Sequence, residues 1–156
     1  MYLFVLFILC ALAFLWYFFF QKLPSLRFKR YFDLRASLLW PEEQQADQLV
    51  RGSLLLELTQ SFADGKGFLI ESVRFSRKEL HLRNFDKLYL DAANEGQQLS
   101  VAIYIARKYL SAIRNKELTV ELTGYIVHKE NKKSAAVARY SLRLDEQALP
   151  VAEDFA

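Results

Sequence analysis

A single cysteine, Cys10, in 156 residues excludes an intramolecular disulfide and leaves no thiolate set for a metal centre, a usage that fits a reducing compartment. Glycine and proline are scarce, five and three residues, so little of the chain can form the backbone-lined loops that cradle phosphates and cofactors. Only two histidines occur, His81 and His128, and no spacing brings carboxylates such as Glu79 or Asp91 to them in a metal-ligand pattern. Gly65-Lys66-Gly67 lacks the earlier glycine and the Gly-Lys-Ser/Thr ending of a phosphate loop. No serine sits in a G-x-S-x-G elbow. Glu42/Glu43 and Asp145/Glu146 are adjacent acids, whose side chains point apart on any regular element and cannot work as an acid and base pair. These absences argue against an enzyme and call for no cofactor and no metal.

What the chain has in abundance is apolar sequence at its start. Residues 1–20, MYLFVLFILCALAFLWYFFF, carry no charge, proline or glycine, and thirteen of them are Leu, Ile, Val or Phe. A helix of that length is about 30 Å long, the thickness of a bilayer core. The run has no basic n-region and no A-x-A-like site near Tyr17-Phe18-Phe19-Phe20-Gln21, so a retained transmembrane anchor is expected rather than a cleaved signal. Lys22, Arg27, Lys29, Arg30 and Arg35 follow it, with only Asp33 among them. The positive-inside rule then predicts a single-pass protein with its N-terminus outside and its C-terminal domain in the cytoplasm, on a plasma or bacterial inner membrane.

Charge is unevenly placed. The first 35 residues hold five Lys/Arg and one acid, while the remaining 121 hold sixteen Lys/Arg and seventeen acids. The overall +3 therefore belongs to the neck, and the near-neutral remainder lacks the footprint of a nucleic-acid binder. Residues 21–40 read as a basic amphipathic neck, with Leu23, Phe28, Tyr31, Phe32, Leu34, Leu38 and Leu39 covering half a helical wheel. Lys22, Arg27, Lys29, Arg30 and Arg35, with Trp16 and Tyr17 as an interfacial belt, are the candidate membrane-surface residues. The other reading of the neck is a strand or helix that packs on the domain.

Residues 41–146 are expected to form one α+β domain, and 147–156 a loosely held tail. Pro41-Glu42-Glu43 favours a helix over 41–51. Alternation in 53–62 and 67–75 around Asp64-Gly65 predicts a hairpin, and 79–84 and 87–91 are shorter strands. Asn94 with Gln97 resembles a capping box, and Leu99, Ile103, Ala106, Leu110 and Ile113 give one apolar stripe, predicting a central amphipathic helix to about residue 115. Its opposite face carries Tyr104, Arg107, Lys108 and Arg114, the candidate partner-binding residues. Strands 118–127 and 135–144 around an exposed KENKK connection complete an antiparallel sheet of two hairpins flanking the helix.

With no recognisable chemistry, the architecture points to a non-enzymatic membrane-anchored accessory, scaffold or assembly subunit of a larger membrane protein complex. The alternatives are a module binding anionic lipid surfaces and a membrane-tethered enzyme. The expected partners are the lipid bilayer and a larger membrane protein, with no nucleic acid. The leader lacks a small-xxx-small pattern, so tight GxxxG self-association is not expected.

Overall fold

The computed structural model describes residues 2–40, 48–62, 65–113 and 116–143. Helix α1 (Tyr2–Tyr17) runs through a π-helical turn (Phe18–Lys22) into α2 (Leu23–Tyr31). Eight strands follow among the described residues: β1 (Phe32–Leu39), β2 (Leu49–Ser61), β3 (Gly65–Phe75), β4 (Leu80–Leu82), β5 (Leu88–Asp91), β6 (Gln98–Ala106), β7 (Glu117–His128) and β8 (Lys133–Arg143). They form two four-stranded antiparallel sheets, ordered β1-β2-β6-β4 and β5-β3-β7-β8. A 3-10 turn (Ala92–Asn94) follows β5, and a short helix α3 (Arg107–Ile113) follows β6.

Period-two sequence builds both sheets. Leu54, Leu56 and Leu58 of β2, Val101, Ile103 and Ile105 of β6, and Leu118, Val120, Leu122 and Ile126 of β7 are buried in one shared core. Each such side chain, fully buried, contributes about 1.5–3 kcal/mol of transfer free energy. The helix α2 joins that core through Phe28, whose ring lies edge-on to Phe68 of β3 at 4.9 Å between centroids.

Several sequence expectations are overturned. The anchor expected over residues 1–20 is not a membrane span: α1 has 16 residues, about 24 Å of rise against a core of about 30 Å. At its end the Leu23 N–H bonds the Phe18 carbonyl five residues back, which widens the helix into a π turn that already holds Lys22. No helix among the described residues is long and apolar enough to cross a membrane. The single-pass reading falls with it, as does the placement of the N-terminus outside and the domain in the cytoplasm. The α+β architecture with one central helix is also wrong. Most of the predicted central helix is β6, because Val101, Ile103 and Ile105 alternate with Ser100, Ala102 and Tyr104. Leu99 and Ile103 fit the helical spacing as well, but β-branched residues at every second position favour a strand, and β2 and β4 pair along it. Among the described residues of that stretch, only Arg107–Ile113 is helical. The Asn94 signal marks the 3-10 turn, whose cap is Asp91, accepting from the Ala93 N–H at 3.0 Å.

The first predicted hairpin is likewise absent, for β2 and β3 lie in different sheets. Gly65 opens β3 instead of turning the chain, and it is glycine because the Phe32 ring packs there: a Cβ would sit 2.8 Å from Cζ. Of the helix expected over 41–51, residues 41–47 lie outside the described residues, and Leu49–Arg51 belong to β2. The tail at 147–156 also lies outside them. The hairpin β7–β8 is present, with Asn131 at φ 60° in its connection.

Gly124 is the tightest point of the second sheet. At the irregularity between Ile70 and Ser72, β3 brings the Leu69 carbonyl oxygen to 1.9 Å from where a Cβ on Gly124 would lie. Gly124→Ala must move backbone rather than a side chain, and a loss of about 1–3 kcal/mol is expected, read as a lower urea midpoint at unchanged slope.

Glu95 ties the 3-10 turn to β2. Its Oε1 accepts from the Ser61 N–H at 2.8 Å and from the Ser61 hydroxyl, and the hydroxyl bond first, then the backbone bond, holds the carboxyl below its ordinary value near 4.5. A carboxylate with a depressed folded pKa stabilises the fold above the unfolded value and ceases to do so as pH falls through the folded one. Stability should therefore decline below about pH 4.5, and Glu95→Gln should flatten that part of a thermal-unfolding profile against pH.

Candidate functional site

The exposed surface of α1 is the first unusual feature. Phe4, Phe7 and Phe14 are 70%, 72% and 66% exposed, and thirteen large apolar side chains between residues 4 and 19 are open. The helix has no polar face: apolar residues surround it on every side. Such a helix is normally enclosed rather than laid on a surface. Even at about 1 kcal/mol for each, covering thirteen side chains is comparable with the whole stability of a domain.

The neck behaves differently from α1. Phe28, Phe32, Leu34 and Leu38 are buried in the core, so they are not available to a membrane surface, while Leu26 of α2 is exposed. Arg27 donates from Nη1 to the Ala135 carbonyl of β8 at 3.1 Å. The Tyr31 ring stands edge-on to His128 at 5.1 Å, and the Tyr31 carbonyl accepts from the Phe62 N–H at 2.7 Å. Of the other cations, Lys22 ends the π turn, Lys29 and Arg30 are exposed in the last turn of α2, and Arg35 is exposed on β1 opposite Glu57. Trp16 and Tyr17 are exposed at the end of α1. The structure thus keeps Lys22, Trp16 and Tyr17 together on the helix and separates Arg27 and Arg35 from them.

The residues expected on one helix face are divided between elements. Tyr104 is on the outer face of β6, Arg107 and Lys108 begin α3, and Arg114 lies outside the described residues. The Lys108 Nζ rests over the Tyr109 ring at 4.8 Å, while the Arg107 N–H bonds the Gln48 carbonyl at 2.9 Å.

Tyr104 instead meets residues that sequence reasoning does not group with it. Arg51 of β2 and His81 of β4 are its cross-strand partners. Arg83 donates from Nη1 to the Tyr104 hydroxyl at 3.0 Å and lies over its ring at 5.7 Å. That hydrogen bond, followed by the charge interaction with the same hydroxyl, raises the Arg83 pKa above its ordinary value. These four side chains, with Leu49 and Leu82, border a cleft of about 720 Å³. The available signal is parity: once 98–106 is read as a strand, Tyr104 faces away from Ile103 and Ile105 and joins an outward row, though the register that brings Arg51 and His81 beside it is a tertiary fact.

A second cleft, about 580 Å³, lies between Tyr31 and the β7–β8 connection. His128 Nε2 and Ser134 Oγ are 2.8 Å apart on its wall. Lys129, Lys132 and Lys133 surround it, with Glu130 paired to Lys132 at 2.6 Å. No group of His, Cys, Asp or Glu able to hold a metal ion occurs among the described residues. No family model and no curated protein matches the chain.

The division of labour between α1 and α2 is directly measurable. Phe28→Ala should cost about 3–5 kcal/mol by opening a cavity beside Phe68, whereas Lys29→Ala with Arg30→Ala should stay within about 0.5 kcal/mol of the parent, both read by chemical denaturation.

Proposed function

We propose that this protein is a non-enzymatic accessory or assembly subunit of a larger complex, with α1 as the element enclosed by its partner. The observation that supports this reading is the contrast between the core in the two sheets and thirteen exposed apolar side chains on α1 and the start of the π turn, which the core does not use. An all-round apolar helix matches a site between apolar helices, where partner side chains contact every face. The two-sheet body then serves as a rigid head, fixed to the helix by α2 through Phe28, Tyr31 and Arg27. Holding a partner in this way raises the effective concentration of whatever else the head contacts.

A second reading, a module for anionic lipid surfaces, is favoured by the exposed Lys22, Lys29 and Arg30 near the apolar helix. One experiment separates the two. The tagged full-length chain, purified from its native cells in mild non-ionic detergent, should carry a stoichiometric protein companion. Leu9→Lys with Leu12→Lys should release that companion while leaving the thermal unfolding of the sheets unchanged. Recovery as a lone chain would overturn the subunit reading, and capture of the lone chain by anionic vesicles, abolished by Lys29→Glu with Arg30→Glu, would put the lipid reading in its place.

A further inference from the structure

We propose that the cleft over Tyr104 is a binding site for a small organic anion, a planar and largely apolar body bearing a phosphate or carboxylate. It lies on the outer face of the β1-β2-β6-β4 sheet, and the proposal does not depend on what encloses α1.

The size is right for a small ligand: about 720 Å³ falls among volumes of roughly 300–1,000 Å³ usual for such sites. The register sets its width. Arg51, Tyr104 and His81 stand abreast on three neighbouring strands, and a strand spacing of about 4.8 Å makes the row about 10 Å across. Because the row stands on paired strands, its side chains start from a fixed backbone rather than from a mobile loop.

The charge is one-sided. Among the described residues, two guanidiniums and an imidazole border the cleft and no carboxylate does. The nearest acid along the outer face of β2, Glu57, is six residues from Arg51, about 20 Å away, and accepts from Gln98 at 3.3 Å. The side chains of Arg51 and His81 make no hydrogen bond or ion pair among the described residues. Arg83 uses Nη1 on the Tyr104 hydroxyl, which fixes the guanidinium and leaves its other N–H groups to donate. A fixed, planar fork of donors suits phosphate or carboxylate better than a mobile ammonium does.

The rim asks for more than a bare ion. Leu49 is 53% exposed at one side, Leu82 is half-buried at the other, and the flat guanidinium on Tyr104 offers a stacking surface. Gln48 and Asn84 add amides at the margin, Asn84 at a φ of 46° that turns the chain after β4. An aromatic anion meets all of these features, whereas inorganic phosphate meets only the donors. Among the described residues, the side chains that border the cleft are hydrogen-bond donors, amides and apolar groups suited to binding.

The test uses the full-length chain in non-ionic detergent, titrated calorimetrically with adenosine 5′-monophosphate, benzoate, inorganic phosphate and uncharged adenosine. One molecule of adenosine monophosphate or benzoate should bind per chain, at least tenfold more tightly than phosphate or adenosine. Arg51→Gln and Arg83→Gln should each weaken that binding about tenfold, Tyr104→Phe should weaken it less by freeing Arg83 while keeping the ring, and Arg74→Gln on the other sheet should leave it unchanged. Circular dichroism of each variant checks that the sheets are intact, and the exposed Arg51 keeps the test valid if Arg83→Gln disturbs the Tyr104 contact. Absence of saturation by both aromatic anions up to about 10 mM, phosphate binding as tightly as they do, or binding indifferent to both arginine changes would each overturn the proposal.

Discussion

Burial of every second residue in two sheets that share one core is the constraint on which the molecule depends. On β2, β6 and β7 the buried inward positions are Leu, Ile or Val except for Gly52 and Gly124, and the outward positions include Arg, Ser, Glu, Thr and Tyr. A register slip of one residue would exchange the two sets. The outer cleft therefore owes its Arg51, Tyr104 and His81 row to the same pairing that buries Val50, Ile103, Ile105 and Leu80 behind it. Where the pairing is irregular, between Ile70 and Ser72, the facing strand has Gly124 so that two backbones can meet.

The strand content was legible where alternation was unopposed. Leu54, Leu56 and Leu58 announce β2, and Leu118 to Ile126 announce β7, with a polar connection to β8. Two kinds of information were not legible. The first is competition between periods: Leu99, Ile103 and Ala106 fit a helix while Val101, Ile103 and Ile105 fit a strand, and the strand prevails because β2 and β4 pair on either side. The second is sheet membership. Strands adjacent in sequence with a glycine-rich turn read as a hairpin, yet β2 pairs with β1 and β6 while β3 pairs with β5 and β7. For the candidate sites, sequence singled out Tyr104 and the cations of the neck, but not Arg51, His81 and Arg83, whose association with Tyr104 exists only after the sheet has formed.

The N-terminal region shows how a continuous pattern of hydrophobicity can serve two ends. Between residues 4 and 19 the large apolar side chains are open, whereas Phe28, Phe32, Leu34 and Leu38 are buried. Between them, Phe18–Lys22 forms the π turn, and α2 is fastened to β8 by Arg27 and to β7 by Tyr31. Burial of Phe28 and Phe32 makes α2 and β1 part of the body, while α1 projects apolar surface that the body does not cover.

The fastening of α2 to β8 joins elements more than one hundred residues apart in the chain. During synthesis at about 5–20 residues per second, roughly 5–20 s separate the emergence of α2 from that of the strand it rests on. Throughout this interval α1 is displayed to the cell with no finished head behind it. On the proposed subunit reading, a partner could meet the helix on the ribosome, before the sheets exist.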